Sequence, residues 1–119
     1  TASEWVEAWR LLARRFVHVP AVVGMGLKNE PRSVCGGHSW EGRGDFCDVS
    51  SVDTQSARNG TCVEMGWSTG PVHLQWRAAA ERAGRAVLRE NPHLLVSVSG
   101  LDYASDLTAV AAAAPVNLP

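Results

Sequence analysis

Ala21-Val22-Val23-Gly24-Met25-Gly26-Leu27-Lys28-Asn29-Glu30-Pro31-Arg32 is the stretch whose reading decides how this chain folds. Residues 21–27 are apolar and rich in valine, the composition of a short strand buried on both faces of a parallel sheet. Glycines at 24 and 26 weaken that strand and mark close approach of a neighbouring backbone or of a ligand. Pro31 has no N–H to give a central ladder, so the strand stops ahead of it. Asn29 and Glu30 are left standing at its C-terminal end.

Upstream, residues 3–17 read as an amphipathic helix, with Trp5, Trp9, Leu12 and Phe16 on one apolar stripe. Thr1-Ala2-Ser3-Glu4 matches a capping box, and Pro20 closes the helical region. Trp5 and Trp9 read as core residues. Downstream, residues 71–90 form a second helix: Pro71 suits its first turn, Trp76, Ala80, Ala83 and Val87 make its stripe, and Asn91-Pro92 ends it. A second buried strand, LLVSV, occupies 94–98 and ends at Ser99-Gly100. A loop and then a short alanine-rich helix are expected within 102–114, stopped by Pro115.

Strands alternating with helices imply a parallel sheet with crossover helices. Two strands cannot cover both of their own faces, and a complete (β/α)8 barrel takes about 250 residues. The 119 residues therefore read as α/β, a partial barrel of about two β/α units. Between the units, residues 33–71 form one long connector full of turn residues, longer than compact domains ordinarily leave structureless, and so a loop insertion within the barrel fragment.

That connector holds all three cysteines, Cys35, Cys47 and Cys62, and an N-glycosylation pattern at Asn59-Gly60-Thr61. Clustered cysteines beside such a pattern favour an oxidising, secreted setting with a disulfide among the three and one cysteine left over. His38 lies near Cys35 and Cys47, but their spacing lacks the close pair of structural zinc motifs, so no metal is expected. Trp40 and Trp67 read as packing for the loop rather than platforms for sugar rings. His18, His73 and His93 read as surface or capping residues.

Composition narrows the functional classes. Hydrophobic residues make up 45% and charged residues 19%, as in a globular domain. The formal net charge is -1 without a basic patch, which argues against nucleic acid as a partner. No apolar run approaches the roughly 18 residues of a membrane span. Residue 1 opens into helical pattern, with no secretory leader pattern ahead of it.

Ligands of parallel α/β architectures sit at the C-terminal ends of the strands, where Asn29 and Glu30 lie. A carboxylic acid there can protonate a leaving oxygen and later deprotonate water. An asparagine beside it can donate to and accept from a sugar hydroxyl. Tyr103, a few residues past the second strand, is a further candidate for the same cleft. Strict alternation sends Asn29 and Glu30 to opposite faces, so the strand must bend at its tip if both are to share the cleft.

The run from Val23 to Arg32 resembles the fourth barrel strand of glycoside hydrolase family 5, the cellulase family, which ends in Asn-Glu-Pro. The Trp-rich helix before it is similar too. So are Asn91-Pro92-His93-Leu94-Leu95-Val96, Ser99-Gly100-Leu101 and Asp106-Leu107, most of all to the plant-like, cellulase-related members. The resemblance covers residues 1–32 and about 72–118. It implies a (β/α)8 barrel, secretion, and a retaining O-glycoside hydrolase acting on an oligo- or polysaccharide without cofactor or metal. Glu30 then matches the acid/base and Asn29 the residue that holds the substrate 2-hydroxyl. The family's nucleophile, a glutamate on the seventh strand, is not among these residues. The chain alone is accordingly expected to have no glycosidase activity, since a retaining enzyme needs both carboxyl groups about 5 to 5.5 Å apart. The competing reading is a noncatalytic carbohydrate-binding or interaction protein that works through its cysteine loop.

Overall fold

The computed structural model describes residues 2–31, 34–35, 62–63, 66–68, 75–112 and 114–119. In chain order these give α1 (Ala2–Arg15), β1 (Gly24–Gly26), β2 (Val34–Cys35), β3 (Cys62–Val63), α2 (Trp76–Glu90), β4 (Leu95–Ser97) and α3 (Thr108–Ala111). Strands β1 and β4 pair in parallel, Gly24 with Leu95, Met25 with Val96 and Gly26 with Ser97. Val23 and Leu27 extend the pairing by one bond at each end, through Leu95 N–H to the Val23 carbonyl and Leu27 N–H to the Ser97 carbonyl. Strands β2 and β3 pair antiparallel, which sets Cys35 opposite Cys62 in the ladder.

Helix α1 has Glu4 in its first turn and Arg14 and Arg15 in its last, charges that complement the helix dipole. Trp5, Trp9 and Phe16 pack against the core, and Ala13 is fully buried. Leu12 departs from the expected stripe and is 41% exposed. The helix also stops at Arg15 rather than 17, because the chain turns there and the Val19 N–H bonds to the Phe16 carbonyl. The indoles of Trp5 and Trp9 meet edge to face at 6.5 Å, and Trp5 lies 6.0 Å from Trp76 of α2. Both tryptophans are thus core residues, as their spacing implied.

Helix α2 turns a face of small residues, Ala79, Ala80, Ala83 and Gly84, together with Trp76 and Val87, into the interior. Small side chains let α1 come close, and Arg10 of α1 clips the two helices by reaching Glu90 at 2.5 Å while also holding Glu7 at 2.7 Å. The first N–H groups of α2, which no helical carbonyl can satisfy, are taken by the carbonyls of Gly66 and Trp67. Its other end is closed by Asn91, buried, whose side-chain oxygen accepts the His93 N–H at 3.2 Å. His93 and His18 are exposed, in keeping with the surface role expected of them.

The C-terminal tail lies along α2. The Asn117 N–H donates to Glu81 at 3.0 Å, Arg85 donates to the Asn117 carbonyl at 2.8 Å, and Leu118 fills the space where a side chain on Gly84 would go. Burial pushes the Glu81 carboxyl up, but the Asn117 N–H with Arg77 and Arg85 outweighs it and holds the group below the ordinary carboxylate range. Trp67 packs into the core and donates its indole N–H to the Ala114 carbonyl at 2.6 Å, which bears out the packing role.

Two expectations need correction. The strands are shorter than 21–27 and 94–98, three residues each. They are also covered on one face only. Met25 and Val96 turn toward the helices, while Leu95 is 73% exposed and a side chain on Gly26 would meet nothing within 4 Å. Among the described residues the two-stranded sheet has no further layer to bury that side. The loop and short helix expected within 102–114 are found as a hairpin turn at 101–106 and a four-residue helix, Thr108–Ala111. Residues 71–74, with Pro71 and His73, and most of the connector, including His38, Trp40, Cys47 and Asn59, lie outside the described residues.

Candidate active site

Because β1 and β4 run in parallel, their C-terminal ends open onto the same rim. On β1 the side chains of Met25 and Leu27 are buried toward the helices. Past the ladder come Lys28, half-buried, then Asn29 and Glu30, both exposed, then Pro31, fully buried. Glu30 has φ 45°, the left-handed region. An L-residue other than glycine reaches that region at a cost of about 1 kcal/mol or somewhat more. Here Pro31 is anchored in the interior immediately after it. This is the bend that strand alternation demanded: the left-handed residue breaks the two-residue period, and Asn29 and Glu30 both reach solvent at the tip.

The end of β4 is built more tightly. The indole N–H of Trp76 donates to the Ser99 carbonyl at 2.8 Å, which ties the strand end to α2. A Cβ on Gly100 would stand 2.3 Å from the Asp106 carbonyl oxygen, so only glycine fits. Leu101 and Asp106 exchange N–H to carbonyl bonds at 3.1 and 3.0 Å and close a hairpin. Inside it, Asp102, Tyr103 and Ala104 have φ 48°, 57° and 68°, three successive left-handed residues without a glycine among them. The Ser105 N–H and hydroxyl both donate to the Asp102 carbonyl, at 3.0 and 2.5 Å. The Asp106 carboxylate accepts from the hydroxyl and the N–H of Thr108 at 2.6 and 2.9 Å, and these bonds hold it below its ordinary range.

Asn29 and Glu30 thus share one exposed rim with the 102–104 turn. Tyr103 is half-buried with its hydroxyl buried, whereas Asp102 beside it is exposed. The sequence drew attention to Tyr103 and passed over Asp102. An aspartate tolerates left-handed backbone, but nothing in Tyr103 or Ala104 announces it. Among the described residues, no three of His, Cys, Asp or Glu gather as metal ligands. No helix among them is long and apolar enough to cross a membrane.

The chain matches the family model described as cellulase, glycosyl hydrolase family 5, over residues 1–118. It belongs to that family. Among curated proteins it is 31% identical over 101 residues to an endoglucanase of Paenibacillus polymyxa, covering 85% of this chain and 18% of the relative. It is 29% identical to the major extracellular endoglucanase of Xanthomonas campestris, covering 85% of this chain and 15% of that protein. Among solved structures, all of this chain superposes on 31% of the hyperthermophilic endocellulase from Pyrococcus horikoshii, with TM-score 0.68 and 28% identity. It likewise superposes on 29% of the Xanthomonas endoglucanase catalytic domain, with TM-score 0.65 and 27% identity. This family 5 chain is therefore a partial α/β piece that spans less than a third of the length of these relatives.

Proposed function

We propose that the protein carrying this chain is a retaining O-glycoside hydrolase of the endoglucanase kind, and that this chain supplies the acid/base half of its active site from a partial (β/α)8 barrel. The single observation that carries the reading is the placement of Asn29 and Glu30, exposed together past the end of β1 on a bend, in a family of cellulases. Glu30 protonates the glycosidic oxygen as the bond breaks, then takes a proton from the water that releases the sugar. Asn29 holds a hydroxyl of the sugar at the scissile bond. The nucleophilic carboxylate comes from a strand outside residues 1–119. A Pyrococcus endocellulase has been solved with cellotetraose, which supports a β-linked gluco-oligosaccharide as the substrate here. No cofactor or metal enters this chemistry.

The open face of the two-stranded sheet supports the barrel reading. Leu95 lies exposed where further strands of a barrel would cover it. Secretion and a disulfide belong to the same proposal. The Xanthomonas relative, named as extracellular, supports the first. A disulfide among Cys35, Cys47 and Cys62 leaves one cysteine over. A free-thiol assay on the folded, unreduced protein checks it: one reactive thiol agrees, three disagree. Family membership leaves little room for the noncatalytic alternative.

The test of the activity is hydrolysis of a soluble β-1,4-glucan by the full-length protein, followed by the configuration of the first sugar released. Release of the β-anomer is the expected result. Initial release of the α-anomer would remove the retaining mechanism.

A further inference from the structure

We propose that Asp102 is a sugar-binding residue of the same cleft, its carboxylate accepting hydrogen bonds from hydroxyls of a β-linked glucan beside the glycosidic bond whose oxygen Glu30 protonates. The inference rests on the hydrolase reading above. Gly26 pairs with Ser97 in a parallel ladder, Glu30 follows Gly26 by four residues, and Asp102 follows Ser97 by five. Both residues therefore stand at the same rim, on adjacent strands, and both are exposed.

The turn that presents Asp102 is fixed from every side. The Trp76 indole holds Ser99, Gly100 is pressed against the Asp106 carbonyl, Leu101 and Asp106 bond reciprocally, and Ser105 bonds twice to the Asp102 carbonyl. Backbone held in sparsely populated conformation by such surroundings is found at ligand sites, where the fixed position is itself useful. A carboxylate with its backbone immobilised offers two acceptor oxygens, a match for adjacent hydroxyls of one pyranose ring. The neighbouring Tyr103 turns its hydroxyl inward, which leaves the short Asp102 side chain as the polar group this turn offers to the cleft.

Left-handed backbone supplies the experiment. Glycine accepts φ 48° and φ 68° without strain, so Asp102→Gly removes the carboxylate and spares the turn, and Ala104→Gly changes the same turn and spares the carboxylate. In the full-length enzyme, Asp102→Gly should raise KM for cellotetraose about 10-fold or more, with kcat within about twofold and a Tm no lower than that of the parent. Ala104→Gly should leave KM unchanged and Tm equal or higher. An unmoved KM in Asp102→Gly overturns the assignment, as does an equal rise in Ala104→Gly. Should Asp102→Gly not fold, Asp102→Asn is measured by the same KM criterion. A parent protein with no glucanase activity would sink the hydrolase reading itself, whereas an active parent with an unmoved KM sinks Asp102 alone.

Discussion

Replacing Glu30 by Gln in the full-length protein is expected to slow hydrolysis of an unactivated β-glucan by about 10² to 10⁴-fold, the range that a positioned general acid contributes. An aryl glycoside with a good leaving group needs no proton on the departing oxygen. Its first step should therefore be slowed far less, and the enzyme should accumulate as a glycosyl intermediate that water cannot release without a base. The two substrates must diverge. Glutamine preserves the size of the side chain, and φ 45° at position 30 is as awkward for glutamine as for glutamate, so the bend at the tip is unchanged in kind. Equal losses on both substrates would take Glu30 out of the acid role and leave it a turn residue.

The second large effect is structural. Trp76 is fully buried, lies 6.0 Å from Trp5, and donates to the Ser99 carbonyl at 2.8 Å. Truncation to alanine removes the largest fully buried side chain of the described residues at the point where α1, α2 and the end of β4 meet. The cost should be about 3–5 kcal/mol, from lost burial and the cavity left behind. Phenylalanine keeps most of the packing but leaves the Ser99 carbonyl without its donor, so Trp76→Phe should cost about 1–3 kcal/mol. Denaturant unfolding of both variants against the parent measures this. A cost below about 1 kcal/mol for Trp76→Ala would mean that the helix pair does not anchor the rim as described.

Much of this was legible in the residues. The helical stripes placed Trp5, Trp9, Trp76, Ala80, Ala83 and Val87 in the core, because their three- and four-residue spacing survives packing unchanged. The valine-rich run before Asn29 and the LLVSV run gave the two parallel strands, and the conflict between strand period and a shared cleft required a bend at Glu30. Strand length was not legible, since an apolar run does not say how many of its residues find a ladder partner. Nor was the open face of the sheet: valine and leucine look the same whether a neighbour covers them or not, and among the described residues nothing lies over Leu95. The hairpin at 101–106 escaped for a different reason. Its left-handed residues are tyrosine and alanine as well as aspartate, and their conformation is imposed from outside by Gly100, Asp106 and Ser105 rather than by their own preferences. Asp102 was missed with the turn that presents it.

The central claim, that the carboxyl group at position 30 activates water in the second step of a retaining reaction, is tested most directly by azide rescue of Glu30→Gly. Glycine relaxes the left-handed backbone and opens space at the rim, and azide attacks the glycosyl intermediate without needing a proton removed. With an activated aryl β-glycoside, added azide should restore turnover several-fold or more and yield the β-glycosyl azide. Turnover indifferent to azide, or a product of inverted configuration, would contradict it.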